Sequence, residues 1–193
     1  MQPSSLERCL LGLIKHRQCS GYDLRKILTE TPMRHYSDSP GSIYPALQRI
    51  ARRGWIKPTS DRSSRRQRTI YSLTAKGDAE LRRWLSQPVD EQQIADHLDE
   101  VMLRLSFHHL LGGPARLRAF LAAIGSATQS YAAKLQHFIR TSTADYPLGA
   151  SLALNAGLGN YQWLARWAKR QSKKLEHKGT GPQAAALRRR KRP

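Results

Sequence analysis

The 193-residue chain carries 33 Lys and Arg against 14 Asp and Glu, a formal charge of +19. That length supports one substantial core or two modest ones, and the charge predicts attraction to polyanions, most commonly nucleic acid. Two cysteines exclude a disulfide scaffold, and the absence of an 18-residue apolar run or a signal-like leader leads us to expect a soluble, cytoplasmic protein without a membrane partner.

The charge is spread along the chain. Residues 1–90 hold 17 basic and 8 acidic side chains, and residues 91–193 hold 16 and 6. The apolar spacing of Leu6, Cys9, Leu10, Leu13 and Ile14 predicts a first helix over Ser5 to Lys15, capped by Ser5 with Arg8 where a capping-box acid would sit. Ser20-Gly21 marks a second start. Tyr22, Leu24, Ile27 and Leu28 make a short amphipathic helix that ends before Pro32, and a connector follows to Asp38. The third helix spans about Ser39 to Gly54. Ser39 is its expected N-cap, Ile43, Leu47 and Ile50 its buried stripe, and Gly54 its stop. Pro45 removes an internal hydrogen bond, so a loose or 3₁₀ first turn is expected over 40–43.

The period then changes. Trp55-Ile56-Lys57 reads as a strand broken by Pro58. Residues 60–68 form a polar turn, and Thr69 to Leu73 is the return strand. A fourth helix begins at Thr74 and runs to about Ser86, with Leu81, Trp84 and Leu85 inward. Tyr22, Tyr71, Trp55 and Trp84 are all read as structural. Residues 88–96 look like a linker. Beyond them, helices are expected over His97–Leu111, Ala115–Ser142 and Leu148–Glu176, the last weakened locally by Gly157 and Gly159. A basic, disordered tail is expected over 177–193. The fold class is thus mainly α: a winged helix-turn-helix with a two-stranded wing over 1–87, a linker over 88–96, and a helical dimerisation or effector domain over 97–176.

A three-helix core with a hairpin leaves one face of its third helix uncovered, and such a helix fits the major groove of duplex DNA. Off the buried stripe lie Ser42, Tyr44, Pro45, Gln48, Arg49 and Arg52, whose polar groups suit base edges and phosphates. The Tyr44 ring is open to either core packing or phosphate contact. The turn between the strands adds Arg62, Arg65, Arg66 and Arg68, a basic wing tip suited to the backbone or minor groove. Three amphipathic helices beyond residue 96 bury too little in isolation unless they pack on each other or on a twin, and a homodimer is expected as the commonest solution.

SPGSIYPALQRIARRGWI followed by YSLTAKG, with LLGLI and GYDL upstream, resembles the PadR family of transcriptional regulators over roughly residues 6–85. The helical half resembles, more weakly, the C-terminal domain called virulence-activator alpha, through DHLDEVMLRLSF and the helix spacing. The resemblance implies a homodimeric repressor on a partly palindromic operator, relieved by a small-molecule effector of aromatic or phenolic type. It carries a DNA-facing role onto Ser39, Gly41, Ser42, Tyr44, Pro45 and Arg49. Two positions depart from the family pattern. Ser20 stands where many relatives have His, and Arg52-Arg53 stand where acidic residues are common.

Trp163 and Trp167 share a helix face and would form either an aromatic wall for an effector or ordinary core. Cys9 lies on an apolar stripe. Cys19 precedes a helix start, where the dipole can lower a thiol pKa, which leaves a redox role open beside a structural one. No histidine pattern suggests a metal, no cofactor motif is present, and Walker A, GxGxxG, HExxH and GxSxG sequences are missing, so no enzyme is expected. Two other readings stay open. One is a protein-interaction adaptor that uses the winged helix for docking, and the other is a single-strand or RNA binder, disfavoured by the lack of stacking aromatics.

Overall fold

The computed structural model describes residues 2–36, 40–61, 68–142 and 146–179. The chain divides into two compact units, Met1–Gln87 and Pro88–Pro193.

In the first unit, α1 (Ser5–His16), α2 (Gly21–Glu30) and α3 (Pro40–Arg52) surround a core of Leu10, Ile14, Leu24, Leu28, Ile43, Leu47 and Ile50, each nearly inaccessible. Burying each such side chain contributes about 1.5–3 kcal/mol. The cap of α1 lies one residue earlier than expected. Ser4 accepts from the Glu7 amide, and Glu7 Oε2 accepts from the Ser4 amide, which completes a capping box that the Ser5 reading lacked. Ser20 and Asp23 form the same box on α2. The connector includes a 3₁₀ turn, Pro32–Tyr36.

α3 is α-helical from Pro40, without the expected loose turn, although Pro45 lies inside it. The carbonyl that loses its partner belongs to Gly41, which is exposed, so water can satisfy it. The helix stops as expected at Gly54, with φ 70°. Trp55 N–H donates to Ile50 at 3.0 Å and Gly54 N–H to Ala51 at 2.8 Å, a Schellman closure that glycine adopts without Cβ strain.

The sheet has three strands, not two: β1 (Cys19–Ser20), β2 (Ile56–Asp61) and β3 (Arg68–Leu73), in the order β1-β3-β2. β1 pairs antiparallel with β3 at Cys19↔Tyr71 and Ser20↔Ile70. Pro58 does not break β2, because β2 is an edge strand and a missing N–H can face outward there. Thr74 caps α4 (Ala75–Leu85), which seats Leu81, Trp84 and Leu85 in the core.

The second unit corrects the linker expectation. Residues Glu91–Asp96 form α5, capped by Asp90, and its Ile94 is fully buried with Val101, Phe120, Ile124, Leu164 and Ala168. Six residues are too few to show an amphipathic period, so the burial depends on what packs above them. α6 (Leu98–Phe107) ends in a 3₁₀ turn at His108–Leu111. Gly112 and Gly113, at φ 78° and 77°, then redirect the chain into α7 (Pro114–Ser142). α8 (Leu148–Gly179) packs along α7 and continues through Gly157 and Gly159. The tail expected over 177–193 lies outside the described residues from residue 180 onward. Among the described residues no helix is long and apolar enough to cross a membrane.

Candidate nucleic-acid interface

Helix phase divides α3 as the sequence predicted. Ile43, Ala46, Leu47 and Ile50 face inward. Gly41, Tyr44, Pro45, Gln48 and Arg52 are exposed, and Ser42 and Arg49 are half-buried. Ser39, Arg62, Arg65 and Arg66 lie outside the described residues. Arg68 is exposed at the start of β3, opposite Asp61.

β1 does more than extend the sheet. By pairing with β3 it brings the start of α2 beside the wing and the first turns of α3, and a cleft of about 580 Å³ opens between them. Ser20, Gly21, Tyr22, Tyr44, Arg68 and Thr69 line it. Gly21 permits the close approach, since a Cβ there would sit 2.8 Å from Tyr44 Cε1. Tyr44 thus rests its ring edge against α2 and leaves 48% of itself exposed, so it is not packed in the core. Tyr22 is 58% exposed and is not part of the core, contrary to its structural reading. Its position two residues before the buried Leu24 already places it off the apolar stripe, a signal available in the phase of α2. Tyr71 is half-buried, while Trp55 and Trp84 are buried as expected.

Arg49 is more constrained than a free reading side chain. Its Nε donates to Glu7 Oε1 at 2.5 Å, and Arg53 Nη1 reaches Glu7 Oε2 at 3.3 Å. Glu7 is only 2% exposed, so a buried capping-box carboxylate anchors the base of the α3 face. Arg53 also lies over the Trp55 ring, 4.9 Å from its centroid. Arg52 and Arg68 remain exposed cations on this face. Asp23 supplies negative charge near Arg68. Its carboxyl is held below the usual range by the Ser20 amide and hydroxyl, with Arg68 and Arg17 adding to the effect and burial opposing it.

Cys19 does not have the lowered pKa that its place before a helix suggested. Burial pushes its thiol up to about 11, the Asp23 carboxylate adds to this, and Arg17 opposes it. The helix start is already occupied by its own acidic cap. Cys9 is pushed up to about 12 by burial.

In the second unit Trp163 and Trp167 stack at 6.1 Å with planes 18° apart. Trp167 packs partly buried on the core, whereas Trp163 is 54% exposed. The pair is therefore neither wholly core nor a closed pocket wall.

The first unit is a winged helix-turn-helix with an exposed third helix beside a basic wing. Residues 10–83 match the model of the Transcriptional regulator PadR-like family. The chain is 31% identical over 105 residues to the protein named Negative transcriptional regulator PadR of Bacillus subtilis (strain 168). That match covers 53% of this chain and 56% of the relative, so the chain spans about half the length of this curated relative. Among solved structures, it resembles Bacillus subtilis PadR in complex with operator DNA, with 22% identity, a TM-score of 0.40, and coverage of 87% of this chain and 98% of the other. It also resembles the PadR-like regulator BC1756 from Bacillus cereus, with 22% identity, a TM-score of 0.39, and coverage of 90% and 99%.

Proposed function

We propose that this protein is a cytoplasmic, sequence-specific transcription regulator that binds duplex DNA as a homodimer and represses from a partly palindromic operator. The observation that carries this reading is the exposed face of α3, where Tyr44, Pro45, Gln48 and Arg52 stand clear of the core beside Tyr22 and Arg68. Helix and wing together offer base-reading groups and phosphate-holding cations within one surface. The name of the curated relative supports repression as the direction of control. Ser39, Arg65 and Arg66 join this surface in the proposal through their places in the sequence. In the adaptor reading, docking would need an apolar patch, but the exposed rings here end in hydroxyls and are flanked by arginine.

Fluorescence anisotropy with a duplex from upstream of the protein's own gene tests the reading. Specific binding should exceed that to a scrambled duplex by at least about tenfold. Gln48→Ala and Arg52→Ala should narrow that ratio. Equal affinity for both duplexes would count against the proposal, and a monomer by light scattering would count against the dimer. The helical unit is proposed to take an aromatic or phenolic effector, with Trp163 and Trp167 as its candidate contacts. A thermal-shift panel of phenolic acids would check this, because a ligand bound only to the folded state raises apparent stability.

A further inference from the structure

The α7–α8 hairpin carries a charge imbalance that the winged helix does not explain. Pro114–Ser142 holds four Lys and Arg and no acid, and Leu148–Gly179 holds six with Glu176 as its one acid. Glu176 accepts from Arg118 at 2.8 Å. Within α8, Arg166, Lys169, Arg170, Lys173 and Lys174 are all exposed. At 3.6 residues per turn they fall in an arc of about 140°, opposite the buried Leu164 and Ala168. They form one continuous cationic stripe about 12 Å long.

An ordinary solvated face does not account for this pattern. Arg166 and Arg170, Lys169 and Lys173, and Arg170 and Lys174 are like-charged i,i+4 pairs, which disfavour the helix. On α4 the chain sets acids among its cations instead: Arg82 pairs with Asp78 at 2.7 Å and Arg83 with Glu80 at 2.7 Å. The helix dipole favours cations only in the last turn, whereas this stripe begins more than three turns before Gly179. Lys169 donates to Gln129 on α7, a neutral partner that orients the ammonium without cancelling its charge.

We infer that the α8 stripe is a second, sequence-independent contact surface for the phosphate backbone of duplex DNA. The inference rests on the protein's being a duplex-DNA binder. Duplex DNA presents about one charge per 1.7 Å of axis, so about seven phosphate charges lie along the length of the stripe. An anionic membrane fits less well, because surface-bound helices insert an apolar face, and beside the stripe Leu164, Trp167 and Ala168 of α8 pack into the hairpin core.

The test is the full-length Arg166→Gln, Arg170→Gln, Lys174→Gln variant. All three side chains are exposed, so the core is untouched. Affinity is measured against salt concentration on the upstream duplex and on a scrambled duplex, each of about 40 base pairs, room for two half-sites with flanks. Each lost phosphate contact should lower the salt slope by about 0.9, so the slope should fall by up to about 2.7 for each protomer bound, on both duplexes, with the specific-to-scrambled ratio unchanged. An unchanged slope overturns the inference. So does a variant that keeps its DNA affinity but loses binding to phosphatidylserine vesicles, which would assign the stripe to a membrane surface. If the wild-type protein does not prefer the upstream duplex, the operator reading fails, and the slope on scrambled duplex still decides the stripe. If it binds neither duplex, both fall.

Discussion

Arg49→Ala tests the coupling between the α1 cap and the face of α3. Glu7 is the buried partner and cannot reach water, whereas Arg49 keeps 42% of its side chain exposed. The pair is therefore asymmetric. Removing Arg49 leaves a carboxylate that keeps the Ser4 amide and one weaker counter-charge, Arg53 at 3.3 Å, itself 24% exposed. Leaving a buried charge without its partner costs about 3–5 kcal/mol, and the remaining arginine reduces that to about 2–3 kcal/mol. Glu7→Gln instead releases two cations that water can solvate, and the amide oxygen can still accept from Ser4, so its cost should be nearer 1–1.5 kcal/mol. In the double variant no stranded carboxylate remains, and the coupling should be at least about 1 kcal/mol. Urea unfolding in a Trp163→Phe, Trp167→Phe background reads the first unit alone, through Trp55 and Trp84. Additive effects, or an Arg49→Ala cost below about 1 kcal/mol, would refute the anchoring argument. The same geometry bears on DNA binding. Glu7 takes the Nε donor, so Arg49 can offer only its terminal nitrogens to a base or phosphate. Arg49→Ala should then weaken every duplex through loss of stability and charge before it alters sequence preference.

Gly77→Ala should destabilise the first unit by at least about 3 kcal/mol in the same urea assay, since the new Cβ would lie 2.0 Å from the Trp55 carbonyl oxygen, a backbone atom with little freedom to move. Cys19 should resist a disulfide-exchange reagent at about pH 8 and react only on unfolding, because its thiolate forms near 11; rapid labelling of native protein would contradict its burial. His108 stacks on Phe120 at 4.3 Å, and its pKa is lowered by burial first and by Arg104 and Arg116 after it. The unfolded chain therefore binds the proton more readily. Stability from this group is present above the ordinary value of 6.5 and is lost as pH falls below it. His108→Gln should flatten that part of the acid-stability profile of the second unit, and an unchanged profile would show that other groups control it.

Sequence alone determined the elements whose pattern is local. Apolar spacing placed α1, α2, α3 and α4 within a residue or two, because a helix must repeat its buried side every 3.6 residues. The Gly54 stop followed from the left-handed φ that only glycine takes cheaply. The outward set on α3 followed from the same phase, as did the exposure of Tyr22 that its structural reading missed. What tertiary structure decided depended on partners distant in the chain. β1 is two residues long and exists only because β3 lies beside it, 50 residues later, yet it closes the cleft in which Tyr22, Tyr44 and Arg68 meet. Pro58 stays in a strand because that strand is at the sheet edge. Ile94 is buried because two long helices cover it. Arg49 lies on the face that the sequence assigned to it, but its freedom is set by Glu7, 42 residues away. No periodicity encodes that distance, since it arises only when the core brings α1 against α3.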